Sequence, residues 1–252
     1  MSGKGGSNKN KRVSLPRVRQ ILRKAFTWAI RPSAGPHSKS TVIPLAEIVR
    51  DKLGLAQNRK ETQAILQSRQ ILVDEKVRTH AQFPVGLFDV VRVEAEKKRF
   101  RVVFDSKGRL QLSEMDASEK NWKVARVVKK TVLGKDQMQL GTQDGRTFLE
   151  KKTSTRVGDS VVIDLASQKI IQVLPLKEGQ TGYITRGTHV GESGKITGLS
   201  GGTMQKKALA ELKTVLESFQ TIRENIVVIG EKEPVVMVDW PGQEETGKRD
   251  AA

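Results

Sequence analysis

Polar side chains at helical spacing between residues 58 and 67 have the chemistry needed to contact phosphate groups. Asn58 followed by Glu61 forms an Asn version of the capping box, so a helix is predicted to begin at Arg59. At about 100° per residue, one side of that helix, here called the helix front, carries Arg59, Lys60, Gln63 and Gln67. The opposite side carries Thr62, Ile65 and Leu66. Because free N–H groups and the dipole at a helix N-terminus favour anions, the pattern predicts a phosphate-contacting face, although an ordinary solvated face would look the same.

The residues after this helix predict a hairpin that brings further positive charge beside it. Ile71–Val73 has the character of a short strand, and Asp74 with Glu75 forms a tight turn into a return strand. The cations expected beside the helix front are Arg69, Lys76 and Arg78.

An acid-free basic arm precedes these elements. No Asp or Glu occurs before Glu47, whereas the first 40 residues contain Lys4, Lys9, Lys11, Arg12, Arg17, Arg19, Arg23, Lys24, Arg31 and Lys39. Residues 1–12 are too polar to bury a core and are expected to be disordered until bound, and Val13–Ser40 is expected to be a short helical turn ending in an irregular loop. Deletion of residues 1–40 is therefore expected to weaken binding while leaving the folded domains intact.

The rest of the chain divides into a helical start and a β-rich remainder. Pro44, Glu47 and Gly54 predict a helix that precedes the one at Arg59. After Val90, short apolar runs separated by Gly and Asp predict a small barrel or sandwich, and a glycine-rich third unit begins near Lys177. The segment 206–219 fits a helix or two strands, and periodicity leaves both open.

The overall charge points to a polyanionic partner. The chain of 252 residues has 45 Lys and Arg against 28 Asp and Glu, a net charge of +17, and nucleic acid is the first candidate. It contains no cysteine, no apolar run long enough to span a membrane and no secretory signal, so we expect a cytosolic protein with no membrane partner.

Catalytic patterns fail on their spacing. His37, His80 and His189 are far apart with no metal-ligand spacing. A phosphate-binding loop at Lys195 would need Ser or Thr where Ile196 stands. Aromatic residues make up 4% of the chain, which argues against a stacking platform for single strands. We therefore expect no enzyme activity, cofactor, metal or small-molecule substrate.

The sequence between Pro44 and Val93 resembles a known RNA-binding module. The stretches "LGLAQNRKETQAILQSRQILVDEKV" and "FPVGLFDVVRV" are similar to the small αL-type domain named after bacterial ribosomal protein S4. The resemblance implies that structured RNA is contacted by five basic residues: Arg59, Lys60, Arg69, Lys76 and Arg78. This chain departs from the family in having Gln70 before the first strand and Glu75 in the turn, where glycine is usual.

The order of segments extends the resemblance to nearly the whole chain. "GYITRGTHVGESGKITGL" is similar to a KOW motif, in which Gly187, Gly191 and Gly194 would form turns and close approaches and the barrel wall would contain Val190, Ile196 and Leu199. Together with "RPSAGPHS", "VGDSVVIDL" and "TIRENIVVIGE", the chain resembles the archaeal and eukaryotic small-subunit ribosomal protein S4e family. That resemblance implies rRNA binding as a structural component and favours strands for residues 206–219.

The fold expected from these observations is α+β, β-rich and multidomain. It comprises a basic N-terminal arm (1–42), an S4-like RNA-binding domain (43–94), a central β domain (95–176), a C-terminal SH3-like KOW barrel (177–240) and a flexible tail (241–252). The expected partners are small-subunit rRNA and neighbouring ribosomal proteins. The predicted RNA-binding residues are Lys9, Lys11, Arg12, Arg17, Arg19, Arg23, Lys24, Arg31, His37, Lys39, Arg59, Lys60, Gln63, Arg69, Lys76 and Arg78.

Two other functions remain open alternatives. S4-like modules also precede pseudouridine synthase domains, which need a catalytic Asp in a "GRLD" motif. This chain has "GRLQ", and the neutral amide of Gln111 cannot act as a nucleophile or base. The second alternative is a KOW-bearing transcription or assembly factor, which would be absent from mature ribosomes.

Overall fold

The computed structural model describes residues 9–116, 119–134, 137–151, 154–203, 205–214, 217–231 and 234–236. The chain forms two compact units, the first made of Met1–Val102 with Arg109–Asp116 and the second of Val103–Gly108 with Ala117–Ala252. Strands dominate the described part, and its longest helix has nine residues. The predicted β-rich character is confirmed.

The first unit contains nine strands and two short helices. In chain order they are β1 (Lys9–Lys11), β2 (Trp28–Ile30), β3 (Ile43–Pro44), α1 (Leu45–Glu47), α2 (Arg59–Gln67), β4 (Ile71–Val73), β5 (Lys76–Val77), β6 (Pro84–Val85), β7 (Val90–Val93), β8 (Lys98–Phe104) and β9 (Leu110–Glu114). Helix α1 continues as a π-helical turn over Ile48–Lys52, and single 3-10 turns span Arg12–Ser14 and Lys39–Thr41.

The main sheet of this unit has the strand order β5-β4-β7-β8-β9. Strands β4 and β7 bury Ile71, Val73, Val91 and Val93 almost completely, which gives the sheet its apolar side. Because β8 pairs with β7 from Val90↔Arg101 to Val93↔Lys98, the strand after residue 95 continues this sheet. Residues 98–102 therefore lie in the first unit.

The tight turn between β4 and β5 forms without glycine. Asp74 and Glu75 have φ of 51° and 60°, the pair of left-handed residues that a two-residue hairpin turn requires. The strained backbone is held because the buried Asp74 carboxylate accepts a hydrogen bond from the Val90 N–H at 3.0 Å. The turn position at which the S4-like family usually has glycine carries Glu75 here, and the side chain of the neighbouring Asp74 secures the turn.

The second unit contains two five-stranded antiparallel sheets. Its strands are β10 (Trp122–Val132), β11 (Gln137–Thr142), β12 (Thr147–Lys151), β13 (Ser160–Asp164), β14 (Ile170–Leu174), β15 (Thr181–Ile184), β16 (Ser193–Leu199), β17 (Leu209–Lys213), β18 (Ser218–Ile222) and β19 (Ile226–Gly230). The strand orders are β12-β11-β10-β13-β14 and β18-β17-β16-β15-β19. A 3-10 turn over Arg223–Asn225 precedes β19.

The undecided segment 206–219 forms strands. In β17, Ala210 and Leu212 are buried and alternate with more exposed residues, which is the period of a sheet with one covered face. Strand β18 pairs with it in register from Leu209↔Ile222 to Lys213↔Ser218. The strands favoured by the S4e resemblance are confirmed for the residues that the structure describes there.

Close backbone approach explains two of the glycines in the KOW-like segment. Gly191 has φ of 90°, and a Cβ there would lie 3.0 Å from the Asp105 carbonyl oxygen. A Cβ on Gly194 would lie 2.8 Å from the Lys213 carbonyl oxygen. Of the expected wall residues, Ile196 is fully buried, whereas Val190 and Leu199 are partly exposed.

Part of the arm is ordered by pairing with itself. Strand β1 pairs with β2 from Lys9↔Ile30 to Lys11↔Trp28, and Leu15 is buried. The expected disorder of residues 1–12 is therefore wrong for residues 9–12. Residues 1–8, and residues 237–252 with the expected flexible tail, lie outside the described residues.

Candidate nucleic-acid interface

The helix front is exposed and begins where the cap predicts. The Asn58 Oδ1 accepts from the Glu61 N–H at 3.0 Å, and the Glu61 carboxylate accepts in return from the Gln57 N–H at 2.8 Å. Thr62 and Leu66 are buried, so packing sets the rotation of α2, but at about 100° per residue Leu66 lies about 20° and Thr62 about 60° from Arg59, and not opposite it as expected. The front residues Arg59, Lys60 and Gln67 are exposed, and Gln63 is partly exposed.

A cavity of about 380 Å³ lies at the N-terminus of this helix. Arg59 lines it together with Arg50, Trp28, Gln82 and the arm residues Ala29 and Ile30. Arg50 is not among the predicted residues, because in the sequence the adjacent Asp51 looks like a partner that neutralises it. In the structure, Arg50 Nε lies 2.6 Å from Asp51 Oδ1. With Arg12 and Glu47, which also line it, the cavity has three arginines, one carboxylate and an indole around space that a nucleotide unit could enter.

The hairpin cations lie at the opposite end of α2 from Arg59. Arg69 follows the helix C-terminus, and a nine-residue helix is about 13 Å long, so Arg59 and Arg69 do not form a single cluster. Lys76 and Arg69 are exposed. The Arg78 guanidinium is half-buried and stacks 4.3 Å from the centre of the Phe83 ring, which fixes its position.

Five arm cations are exposed: these are Lys11, Arg17, Arg23, Lys24 and Lys39. Arg23 donates to the Val13 and Leu15 carbonyl oxygens at 3.4 and 3.3 Å, which orders it without neutralising it. Arg31 is partly exposed, and Lys9 lies in β1.

Three predicted contact residues instead hold the arm onto the first unit. The buried Arg19 guanidinium forms an ion pair with Glu47, with Nε 2.9 Å from Oε2, and also donates to the Ile30 carbonyl oxygen at 3.0 Å. His37 Nε2 lies 2.9 and 3.0 Å from the two Asp89 oxygens. Arg12 is buried and donates to the Leu22 carbonyl oxygen at 2.8 Å. These residues are corrected to structural roles, because their charged groups face into the protein.

Burial dominates the electrostatics of the Arg19 pair. Loss of solvent raises the pKa of Glu47 above its ordinary value, although Arg19 acts in the opposite direction through its hydrogen bond and charge. The His37 ring, in turn, occupies the space next to Gly86, where a Cβ would lie 2.5 Å from the imidazole. The Arg19–Glu47 and His37–Asp89 contacts join residues that are far apart in the sequence, so no local sequence pattern predicts them.

The "GRLQ" motif has a structural explanation. The Gln111 Oε1 accepts from Lys52 Nζ at 2.6 Å, and its amide donates to Gln20 Oε1 at 2.5 Å. Gln111 therefore ties the arm to the π-helical turn.

Within the described ranges, no group of three or more His, Asp or Glu side chains is arranged to hold a metal ion. None of the described helices has the length and apolarity needed to cross a membrane.

Two family models match parts of the chain. The model described as "Ribosomal family S4e" matches residues 96–170, and the RS4NT domain matches residues 4–40. The second match covers the arm, including the residues that pair with Glu47 and Asp89.

Full-length relatives agree with these matches. The small ribosomal subunit protein eS4 of Methanosphaera stadtmanae is 34% identical over 94% of this chain and 98% of its own length. The protein of the same name from Korarchaeum cryptofilum is 34% identical over 94% of this chain and 99% of its own length. The crystal structure of the 30S ribosomal protein S4e from Thermoplasma acidophilum superimposes with a TM-score of 0.68 at 30% identity, covering 78% of this chain and 99% of that one. On these similarities, together with the β-rich fold and the basic arm, the chain belongs to the S4e family of ribosomal proteins.

Proposed function

We propose that the protein is a structural constituent of the small ribosomal subunit that binds folded rRNA through the helix front and the exposed cations of the arm. The observation that carries the proposal is the capped N-terminus of α2, where Arg59 and Lys60 are exposed beside the cavity at the arm. Such a surface recognises phosphates and the shape of folded RNA. Its place of action would be the cytoplasmic ribosome, next to other small-subunit proteins.

The domain organisation that supports this function is also a proposal. Residues 43–94 would form the S4-like RNA-binding domain, residues 95–176 the central β domain and residues 177–240 the KOW barrel, with the arm at 1–42. The β4–β5 hairpin after α2 supports the first assignment. The close approaches at Gly191 and Gly194 support the last.

A role as scaffold is favoured over RNA modification. The carboxamide of Gln111 stands where the catalytic carboxylate of a pseudouridine synthase would be needed, and it is engaged by Lys52 and Gln20. Modified uridine formed by the purified protein on naked rRNA would reverse this preference. A transcription or assembly factor would instead be missing from mature small subunits, which sedimentation at low ionic strength would reveal.

The double substitution Arg59→Ala with Lys60→Ala is expected to weaken binding to a small-subunit rRNA transcript by about 10- to 100-fold at 0.1 M salt. Each lost phosphate contact should also reduce the slope of log affinity against log salt by about 0.7–0.9. Both side chains are exposed, so the unfolding transition should not change. Filter binding across a salt series, with a parallel urea titration, measures both.

Lys97→Ala with Lys98→Ala is the charge-matched control, because it removes two exposed cations from the β7–β8 turn of the same unit. Equal losses in the two double variants would mean that only net charge matters. An unchanged affinity and slope in the Arg59 variant would place the RNA contact elsewhere.

A further inference from the structure

A second basic pocket lies in the second unit, where β13 begins and β14 ends. It has a volume of about 400 Å³ and is lined by the cations Arg156, Lys177 and Arg223 and the hydroxyl residues Ser154 and Thr155. Arg156 and Lys177 are exposed and Arg223 is partly exposed, so their charged groups are accessible to a ligand. Within the described part of the chain, none of these three cations has an ion-pair partner.

The one carboxylate in the lining is already used by the backbone. Asp159 is buried, its Oδ2 accepts from the Arg156 N–H at 2.7 Å and its Oδ1 accepts from the Leu176 N–H at 2.9 Å. It therefore holds together the two chain segments that carry Arg156 and Lys177. Its two oxygens accept from amide donors and form no ion pair with the side-chain cations of the pocket among the described residues, so one negative charge stands against three positive ones.

Further guanidinium groups surround the pocket. Arg126 pairs in register with Ser160, directly after Asp159, and donates to the Glu224 carbonyl oxygen at 2.7 Å. Its Nε is buried and has no hydrogen-bond acceptor among the described residues. Burial lowers the pKa of Arg126, and repulsion from Arg223 and Arg186 lowers it further. The negative charge of Glu224 acts in the opposite direction.

The other nearby carboxylate is shared. Glu224 Oε2 lies 3.2 Å from Lys207 Nζ, and both side chains are mostly exposed. The three cations that line the pocket, Arg156, Lys177 and Arg223, thus outnumber its one carboxylate, and Arg126 adds positive charge close to Arg223. Clustered cations without counter-charges repel one another, and an anion bound between them removes that cost.

The lining also indicates what kind of anion fits. Its remaining residues are Val173, Pro175 and Leu176, so the pocket has no aromatic ring on which a base could stack. Arginine forks and hydroxyls are suited to phosphate oxygens. A nucleic-acid backbone offers such phosphates without requiring a base site, whereas a free nucleotide would leave its base without a partner.

We propose that the pocket formed by Arg156, Lys177 and Arg223 binds a backbone phosphate of RNA, as a contact separate from the helix front. This inference rests on the proposed function in taking RNA as the partner. It assigns RNA binding to the second unit, which contains none of the RNA-binding residues predicted from the sequence.

The test uses the full-length chain with Arg156→Ala and Lys177→Ala, two exposed side chains whose removal leaves Asp159 and its backbone hydrogen bonds in place. Binding to a small-subunit rRNA transcript should fall about tenfold, and the salt slope should fall by about 1–2. Lys195→Ala with Lys213→Ala is the matched control, because it removes two exposed, register-paired cations from the same unit. The control should lose less than about twofold. Arg223→Lys keeps the charge but removes the planar fork and should give an intermediate loss.

Equal binding by the pocket variant and the control would overturn the proposal. If Arg59→Ala with Lys60→Ala weakens binding while the pocket variant does not, the pocket assignment fails and the proposed function stands. If the unmodified chain binds no rRNA transcript, both fail. A parallel titration with inorganic phosphate, monitored through the NMR signals of the arginine Nε–H groups, distinguishes a site for free anions from a site for RNA phosphates. Saturation by inorganic phosphate with no loss of RNA binding in the pocket variant would mean a free-anion site and would also overturn the RNA assignment.

Discussion

Removal of residues 1–40 is expected to unfold the first unit, because it takes away the arm side chains that bind two buried carboxylates. Glu47 would lose Arg19, and Asp89 would lose His37. Breaking one buried pair by removing a single partner costs about 3–5 kcal/mol, which is a large part of the stability of an ordinary domain. This overturns the expectation that truncation leaves the folded domains intact. Native-state hydrogen exchange of the truncated chain should show loss of protection in β4, β7 and β8 while the second unit stays protected.

The single substitution Arg19→Ala separates this structural effect from the loss of arm charge. It should destabilise the first unit by about 3–5 kcal/mol near neutral pH. Arg17→Ala, which removes an exposed guanidinium two residues away, should change stability by no more than about 0.5 kcal/mol. If the two variants are equally stable, the pair with Glu47 does not hold the arm.

The effect of Arg19→Ala should depend on pH with a definite sign. Burial already raises the pKa of Glu47, and removing Arg19 raises it further. A carboxyl whose folded pKa lies above its unfolded value of about 4.3 destabilises the fold as pH rises above that value. The destabilisation should therefore be larger at about pH 8 than at about pH 4.5, as measured by hydrogen exchange of the first unit. A loss independent of pH would mean that packing of the guanidinium, and not the uncompensated charge, causes it.

Asp144→Asn is expected to destabilise the second unit by about 3–5 kcal/mol, because it removes the carboxylate that binds a buried ammonium group. Lys123 Nζ lies 3.1 Å from Asp144 Oδ2, and both side chains are only 1% exposed. The Thr142 hydroxyl also donates to this carboxylate, and Arg146 Nε lies 3.2 Å from it. Protection from hydrogen exchange across β10–β14 is the measurement.

The pH dependence of the wild-type protein provides a second check on Asp144. Burial opposes its ionisation, but Lys123, Thr142 and Arg146 together lower the pKa of this carboxyl below its ordinary value. A depressed folded pKa contributes stability above the unfolded value of about 3.9, and this contribution is lost as pH falls through the folded value. The difference between the wild-type protein and Asp144→Asn should therefore shrink on acidification.

Two comparisons make the Asp144 result interpretable. Glu231→Gln, which changes an exposed carboxylate directly after β19 in the same unit, should change stability by no more than about 0.5 kcal/mol. Lys123→Met combined with Asp144→Leu should recover most of the loss, because apolar residues of similar size need no counter-charge. A double variant as unstable as Asp144→Asn would show that the pair is needed for packing and not for charge balance.

Much of the candidate interface could be predicted from the sequence because its determinants are local. The Asn58–Glu61 cap spans four residues, so the start of that helix agrees with prediction. The two-residue turn at Asp74 and the alternation in β17 are also set by near neighbours. Family resemblance resolved the choice of strands for residues 206–219, which periodicity alone had left open.

Only the tertiary structure decided which of the many cations face inward. Arg19 and His37 look like other arm charges in the sequence, because their partners Glu47 and Asp89 lie 28 and 52 residues away. Likewise, the second pocket joins Arg156, Lys177 and Arg223, and the Asp159 hydrogen bonds bring the first two together. The sequence alone shows how many cations the chain carries. Their roles depend on desolvation and on partners brought close by folding, and these exist only once β-sheet register is formed.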